Sequence, residues 1–168
     1  MPDKLMIVAH PDDESLFGGA QLILESNWKV VCVTNGNNPV RRAEFISVMS
    51  ATNCDYEIWN YPDIYRNPFD EDLLAKDFSR LIQENDWSKI VTHNSAGEYG
   101  HPHHIQIHHL LKHIESVCVF GFGGPPLSDE IWQRKVELVS LYKSQKHICD
   151  GHLPNTRNEK VVSLVKIL

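Results

Sequence analysis

Short apolar runs alternate along the chain with longer segments of helical periodicity. Five runs have the length and apolar content of buried strands: residues 4–10, 29–34, 56–62, 88–94 and 117–124. Apolar residues recur at helical spacing in five other segments: residues 15–26, 40–52, 69–85, 101–116 and 128–145. Because strands that alternate with helices are typical of parallel sheets, we predict an α/β protein with a mostly parallel sheet and helices on both faces.

Length and composition narrow the class of protein further. The chain has 168 residues, so we predict a single domain over residues 1–168. The net charge of -6 and the absence of a basic tract argue against a nucleic-acid or anionic-membrane binder. No run approaches the roughly 20 apolar residues that span a bilayer. Scattered cysteines and the lack of a secretory leader pattern predict a reducing, cytoplasmic location. The tail from 147 to 168 is not assigned to any element.

Polar clusters follow the first and the fourth predicted strands. The first cluster is HPDDE at residues 10–14, and the second is HNSAGEYGHPHH at residues 93–104. Ligands of open α/β sheets bind beyond the carboxyl ends of the strands, so both clusters are expected at one edge of the sheet. Two simpler interpretations remain open at this point. Acids after a strand often cap the next helix, and a histidine-rich helix often has a solvated face.

Histidine and carboxylate together are the ligands typical of zinc. A catalytic zinc takes three protein ligands and keeps one position for water. His10 and Asp13, three apart in a strand-to-helix turn, can point at one centre, and a third ligand would come from the loop at 101–104. Asp12 could take a proton from metal-bound water, whose pKa the metal lowers toward ~7. A second histidine near the metal could donate to a developing oxyanion or protonate a leaving group.

Several segments resemble one enzyme family. AHPDDE at 9–14 matches the first motif of the PIG-L/LmbE-like zinc-dependent N-acetylglucosaminyl deacetylases residue for residue, and YGHPHH at 99–104 resembles their second motif, usually close to YGHPDH. TNG (34–36), RRAE (41–44), YPD (61–63) and KVELVSLYKSQ (135–145) fall in family order. The resemblance covers about residues 4–145. It implies a Rossmann-like three-layer fold, which agrees with the predicted α/β class.

The resemblance implies roles for individual residues. The zinc ligands would be His10, Asp13 and His104, and Asp12 would be the general base. His101 would stabilise the oxyanion or protonate the departing amine, and Tyr99 would support the oxyanion. Arg41 and Asp63 would help to hold the sugar, with Arg42 as the alternative to Arg41.

The implied reaction is hydrolysis of the N-acetyl amide of a GlcNAc-type sugar or conjugate, with metal-bound water as the nucleophile. The partner is therefore a small-molecule amino sugar. Fe²⁺ or another divalent ion could replace Zn²⁺, because a His/His/Asp site does not choose zinc by affinity alone. Two alternatives stay open: a zinc amidohydrolase acting on a non-sugar amide, and a catalytically inactive relative that binds sugar or metal.

Two departures from the family pattern bear on activity and specificity. His103 stands where the family usually has an aspartate that pairs with the catalytic histidine. We therefore expect the pKa of His101 to be lower than in typical members, so that activity falls off at lower pH, with Glu98 as an alternative partner. The chain also continues only a short way past Gln145. This predicts a shallower cleft, or one completed by another subunit of a homo-oligomer.

Overall fold

The computed structural model describes residues 1–164, and within them one sheet has the strand order β3-β2-β1-β4-β5-β6. Its strands are β1 (Lys4–Val8), β2 (Trp28–Thr34), β3 (Asp55–Tyr61), β4 (Lys89–Thr92), β5 (Val117–Phe122) and β6 (Glu159–Ser163). The first five are parallel, and β6 pairs with β5 in the antiparallel sense. The five predicted strands and the mostly parallel sheet are confirmed.

Helices cover both faces of this sheet. They are α1 (Asp13–Leu24), α2 (Pro39–Thr52), α3 (Glu71–Gln83), α4 (Gly97–Gly100), α5 (Pro102–Leu111), α6 (Asp129–Ser140) and α7 (Lys146–His152), with short 3-10 turns at Lys143–Gln145 and Leu153–Thr156. Alternate side chains of β1 enter opposite cores, because successive residues of a strand point to opposite faces. Met6 packs in a cluster with Phe45 of α2, whereas Leu5 packs in a cluster with Phe78 of α3. The predicted three-layer arrangement is confirmed.

The second half of the chain differs most from the expected elements. The helix expected over 128–145 ends at Ser140, and the one expected over 101–116 ends at Leu111. The unassigned tail contains α7 and the edge strand β6, while residues 165–168 lie outside the described part of the chain. Nowhere in residues 1–164 does a helix have the length and apolar character needed to cross a membrane.

Candidate active site

Three predicted metal ligands meet where β1 and β4 end. These strands are neighbours, so the β1–α1 turn and the loop before α5 lie at one edge of the sheet, as expected. His10 Nδ1 lies 3.2 Å from His104 Nε2 and 3.4 Å from Asp13 Oδ2. The third side of this triangle, from His104 Nε2 to Asp13 Oδ2, is 3.2 Å. All three residues are buried.

The spacing and the hydrogen bonds of these atoms fit a divalent cation. Tetrahedral zinc with bonds of 2.0–2.1 Å places its ligand atoms about 3.3 Å apart. His104 Nδ1 donates to Glu98 at 3.0 Å, and His10 Nε2 lies 3.2 Å from Asp63 Oδ1. These outer carboxylates hold one ring proton of each imidazole away from the centre, so that the other ring nitrogen can bind a cation once it gives up its proton.

The electrostatics of the centre also favour a positive charge. Burial lowers the pKa of His104, but Asp13 and Glu98 outweigh this effect and raise it to about 10. Burial likewise opposes the charged form of Asp13, yet His104 and His10 hold its pKa well below the usual range. A site that attracts protons onto its imidazoles in this way offers a cation the same compensation.

His93, a further histidine near the centre, already uses both ring nitrogens elsewhere. His93 is buried, accepts the Ala9 N–H at Nε2 (2.9 Å) and contacts Glu98 through Nδ1 (3.1 Å). Ligand atoms of His10, Asp63 and His103 also lie within 4.8 Å of one another, but His10 Nδ1 faces Asp13 and His104 instead. His10, Asp13 and His104 are therefore the candidate metal ligands.

Asp12 lies beside the three ligands, at the N-cap position of the helix that follows. Its φ of 118° is in the left-handed region, which is strained for a residue with a side chain, and its carboxylate makes no capping hydrogen bond to α1. Asp12 is thus the N-cap residue by position, as the simpler interpretation expected, but its carboxylate is left free for another role. Burial, with Asp13 adding to it, raises the pKa of Asp12 well above its usual value, although Arg41 at 3.5 Å acts in the opposite direction.

His101 is placed as a neutral hydrogen-bond donor. Its Nδ1 accepts the His103 backbone N–H at 3.2 Å, so the ring proton of the neutral form is on Nε2. Burial, helped by His10 and His104, lowers the pKa of His101 to about 3. The ring stacks on His104 with centroids 4.7 Å apart and lines the cleft described below.

Tyr99 lies in the short, irregular helix α4 between β4 and α5. Three of its residues, Gly97, Glu98 and Gly100, have φ in the left-handed region. The Tyr99 side chain is 46% exposed, and its ring stacks on His152 of α7 with centroids 4.2 Å apart. The tyrosine therefore stands at the mouth of the site, against a residue of the previously unassigned tail.

Arg41 and Asp63 each contact the turn between β1 and α1, in addition to contacting each other. Arg41 Nη2 donates to Pro11 O at 2.7 Å, and Arg41 Nη1 lies 3.3 Å from Asp63 Oδ2. Burial opposes ionisation of Asp63, but His10, Asn35 and Arg41 hold its pKa far below the usual value. Arg42 is exposed and lines a separate groove with Gly36, so Arg41 is the arginine at the site.

His103 does not contact the imidazole of His101 in the way that a paired carboxylate would. Its Nε2 donates to Asn67 O at 2.9 Å, its Nδ1 lies 3.1 Å from His10 Nε2, and its ring stacks on Phe69. Glu98, the alternative carboxylate partner expected for His101, does not fill this role either, because its carboxylate contacts His93 and His104.

A cleft of about 270 Å³ opens over these residues. Its lining consists of His10, Asp12, Asp13, Arg41, Asp63, Tyr99, His101, Gln145, Ile148 and His152. Sequence reasoning did not assign the last three to the site. Gln145 belongs to the late KVELVSLYKSQ segment, whose order in the chain was a signal, whereas no local pattern marks Ile148 or His152.

Comparison with known proteins decides the family. A sequence model of the family described as "PIG-L: GlcNAc-PI de-N-acetylase" matches residues 5–115. The chain belongs to this family. The resemblance drawn from the motifs is thereby confirmed, and the match includes both polar clusters.

Similar proteins include both named and uncharacterised relatives. An uncharacterised protein of Acanthamoeba polyphaga mimivirus is 40% identical over 137 residues, which cover 71% of this chain and 61% of the relative. Probable N-acetylglucosaminyl-phosphatidylinositol de-N-acetylases of Schizosaccharomyces pombe and Dictyostelium discoideum are 29% and 27% identical, with 69% and 66% of this chain covered. This chain spans 54% and 48% of their lengths, respectively.

A solved structure supports the fold. The crystal structure of a deacetylase triple mutant from the teicoplanin biosynthetic pathway superposes with a TM-score of 0.70 and 22% sequence identity. The superposition covers 91% of this chain and 86% of that one. The α/β architecture described above is therefore shared with a known deacetylase.

Proposed function

We propose that this chain is a metal-dependent hydrolase that removes the N-acetyl group of a GlcNAc-type sugar or sugar conjugate. The observation that carries the proposal is the triangle of His10, Asp13 and His104 atoms, spaced 3.2–3.4 Å apart with a buried carboxylate beside it. Membership of a family described by GlcNAc-PI de-N-acetylase supports the substrate class. The small cleft suits one N-acetylated sugar residue, with the rest of a conjugate outside it.

His10, Asp13 and His104 would hold the metal. Zinc fits the two imidazoles and one carboxylate, and Fe²⁺ is the alternative for the same donor set. A divalent cation bound there would act as a Lewis acid on the amide carbonyl and make water acidic enough to attack at neutral pH.

Asp12 would be the general base. Its carboxylate would take a proton from the attacking water as the new C–O bond forms at the acetyl carbon, since it lines the cleft beside His10 and Asp13. The C–N bond then breaks, and the proton passes to the departing nitrogen. The products are acetate and the free amino sugar.

His101 and Tyr99 would stabilise the carbonyl oxygen as it gains charge. The Nε2–H of neutral His101 and the hydroxyl of Tyr99 are donors at the cleft, and such donors act most strongly where water is excluded. Arg41 and Asp63 lie at the same cleft and would help to hold the sugar, while His103 would modulate the site through His10.

A panel assay tests this function. The zinc-loaded protein is incubated with free GlcNAc, di-N-acetylchitobiose, a GlcNAc glycoside and UDP-GlcNAc, and released primary amine is measured. We expect release that disappears in Asp12→Ala and after chelation, and that persists in Asp86→Ala, which removes an exposed carboxylate with no role in the cleft. No release from any panel member, with one equivalent of zinc bound, would contradict the proposal and favour a non-sugar amide or a binding role.

A further inference from the structure

The late segment at residues 135–145 makes side-chain hydrogen bonds to α1 and α2 at three points. Lys135 Nζ donates to Leu16 O in α1 at 2.7 Å, and the Tyr142 hydroxyl donates to the Glu14 carboxylate. The Ser144 hydroxyl donates to Glu44 of α2 at 2.6 Å. Most of this segment lies outside the cleft, and all of it lies outside the part of the chain that the family model matches.

Glu14 receives the most direct of these contacts. Its side chain is fully buried, and its carboxylate accepts three hydrogen bonds. Oε2 accepts the Asp12 backbone N–H at 3.1 Å, while Oε1 accepts the Ser15 hydroxyl at 2.7 Å and the Tyr142 hydroxyl. A buried carboxylate needs such partners, and these three fix its position.

The bond from the Asp12 N–H is the one that matters for the site. Asp12 has the strained φ of 118°, and strained backbone persists only where the surroundings over-determine it. With its N–H directed at the buried Glu14, Asp12 lies at the cleft while the adjacent Asp13 contributes Oδ2 to the metal ligands.

We propose that Glu14 and Tyr142 are positioning residues for Asp12, with Tyr142 fixing the Glu14 carboxylate and Glu14 fixing the left-handed turn. The proposal rests on the proposed function, in which Asp12 is the general base. It assigns a task to Tyr142, 128 positions away in sequence from Glu14 but in direct contact with it.

Four variants separate positioning from simple structural support. Tyr142→Phe removes the hydroxyl and keeps the ring, and Glu14→Ala removes all three acceptor contacts. Glu14→Gln keeps an acceptor for the Asp12 N–H and can donate to the oxygens of Ser15 and Tyr142. Tyr61→Phe is the matched control, because the Tyr61 hydroxyl also donates to a carboxylate, that of Asp77 at 2.6 Å, away from the cleft.

The first readout is steady-state kinetics on the preferred panel substrate, with zinc content measured in each variant. We expect kcat to fall roughly ten- to a hundredfold in Tyr142→Phe and Glu14→Ala, the cost of a misplaced catalytic group, with KM and bound zinc unchanged. Glu14→Gln should recover most of kcat, and Tyr61→Phe should keep it. An unchanged kcat in Tyr142→Phe, or a Glu14→Gln variant as slow as Glu14→Ala, would overturn the proposal.

The second readout needs no turnover. Amide hydrogen exchange at Asp12, followed by NMR, should become roughly tenfold faster in Tyr142→Phe, the effect of losing one hydrogen bond to a charged group, and stay slow in Glu14→Gln and Tyr61→Phe. Equal exchange in the wild type and these three variants would overturn the positioning role. If the wild type releases no amine but the variants show the expected exchange pattern, the proposed function is contradicted and the positioning role is not.

Discussion

His103 is the residue at which this chain departs most visibly from the family motif. Its Nδ1 faces His10 Nε2 and its Nε2 is held by Asn67 O, so no carboxylate lies at this position to stabilise a charged His101. Burial and the neighbouring histidines already keep the pKa of His101 low. A carboxylate at position 103 would favour the imidazolium and raise that pKa.

This leads to a prediction for His103→Asp. A charged imidazolium at His101 would stabilise the developing oxyanion more strongly than the neutral ring does, and this added stabilisation is lost as the pH rises through its pKa. Raising the pKa should therefore extend the range of higher kcat to higher pH in His103→Asp than in the wild type. The measurement is kcat against pH for both proteins and for His109→Asp, which changes an exposed histidine of the same helix. Superimposable profiles for all three would contradict the prediction.

Individual site residues differ in how far the sequence could predict them. His10, Asp13 and His104 follow from short motifs, because local spacing and strand ends bring them to one edge of the sheet. The Glu98 contacts with His93 and His104, and the Tyr142 contact with Glu14, depend on tertiary packing. Periodicity carries no information about such side-chain partners.

At the scale of elements, regular periodicity predicted the five parallel strands and three of the helices to within about two residues, whereas α5 and α6 end about five residues before the predicted ends. The edge strand β6 was missed, since its residues are mostly half-buried or exposed and it runs antiparallel to a strand about 40 positions earlier. The four-residue helix α4 was missed because Gly97, Glu98 and Gly100 adopt left-handed backbone there, which the sequence does not mark.

The close packing of α1 against the sheet predicts that an added methyl group at Gly18 will destabilise the protein. A Cβ at Gly18 would lie 2.7 Å from Met6 Cε and 2.8 Å from Phe120 Cε1, so Gly18→Ala should destabilise the protein by about 1–3 kcal/mol. Gly151 in α7 has no heavy atom within 4 Å of the same position, so Gly151→Ala should stabilise by about 0.5–1 kcal/mol. Urea unfolding measures both, and equal midpoints for the two variants would be inconsistent with this packing.

The whole molecule is tied together by a buried ion pair. Lys135 contacts the Glu159 carboxylate, which also accepts the Ala20 N–H of α1 at 2.7 Å, while Lys135 Nζ donates to Leu16 O. The pair thus links α6 and β6 to α1, where it contacts the backbone groups of Leu16 and Ala20, one helical turn apart. Burial lowers the pKa of Lys135 and raises that of Glu159, so each charge depends on the other for compensation.

Removing one partner should therefore be costly. Lys135→Met leaves Glu159 buried without its cation, and we expect a loss of about 3–5 kcal/mol in the free energy of unfolding at neutral pH. The loss should shrink as the pH falls, because a buried carboxylate with a raised pKa takes up a proton in the folded state first. Urea unfolding of the variant and wild type from pH 7 to pH 5 measures this, with exposed Lys146→Met as the control. A constant difference across that range would show that the Glu159 charge is not the cause.

Metal binding and folding should be coupled across the whole molecule. The three ligand atoms come from the β1–α1 turn and from α5, 94 positions apart in sequence between His10 and His104, and they meet only in the folded chain. Free Zn²⁺ at about 100 times its Kd should then add about 2.7 kcal/mol to the free energy of unfolding, and a chelator should remove it. Calorimetric or urea unfolding with and without zinc measures the difference.

His104→Ala should abolish the zinc effect, while His109→Ala, on the exposed side of the same helix, should retain it. Equal stabilisation by zinc in both variants would place the cation away from His104 and would remove the basis for the three-ligand centre.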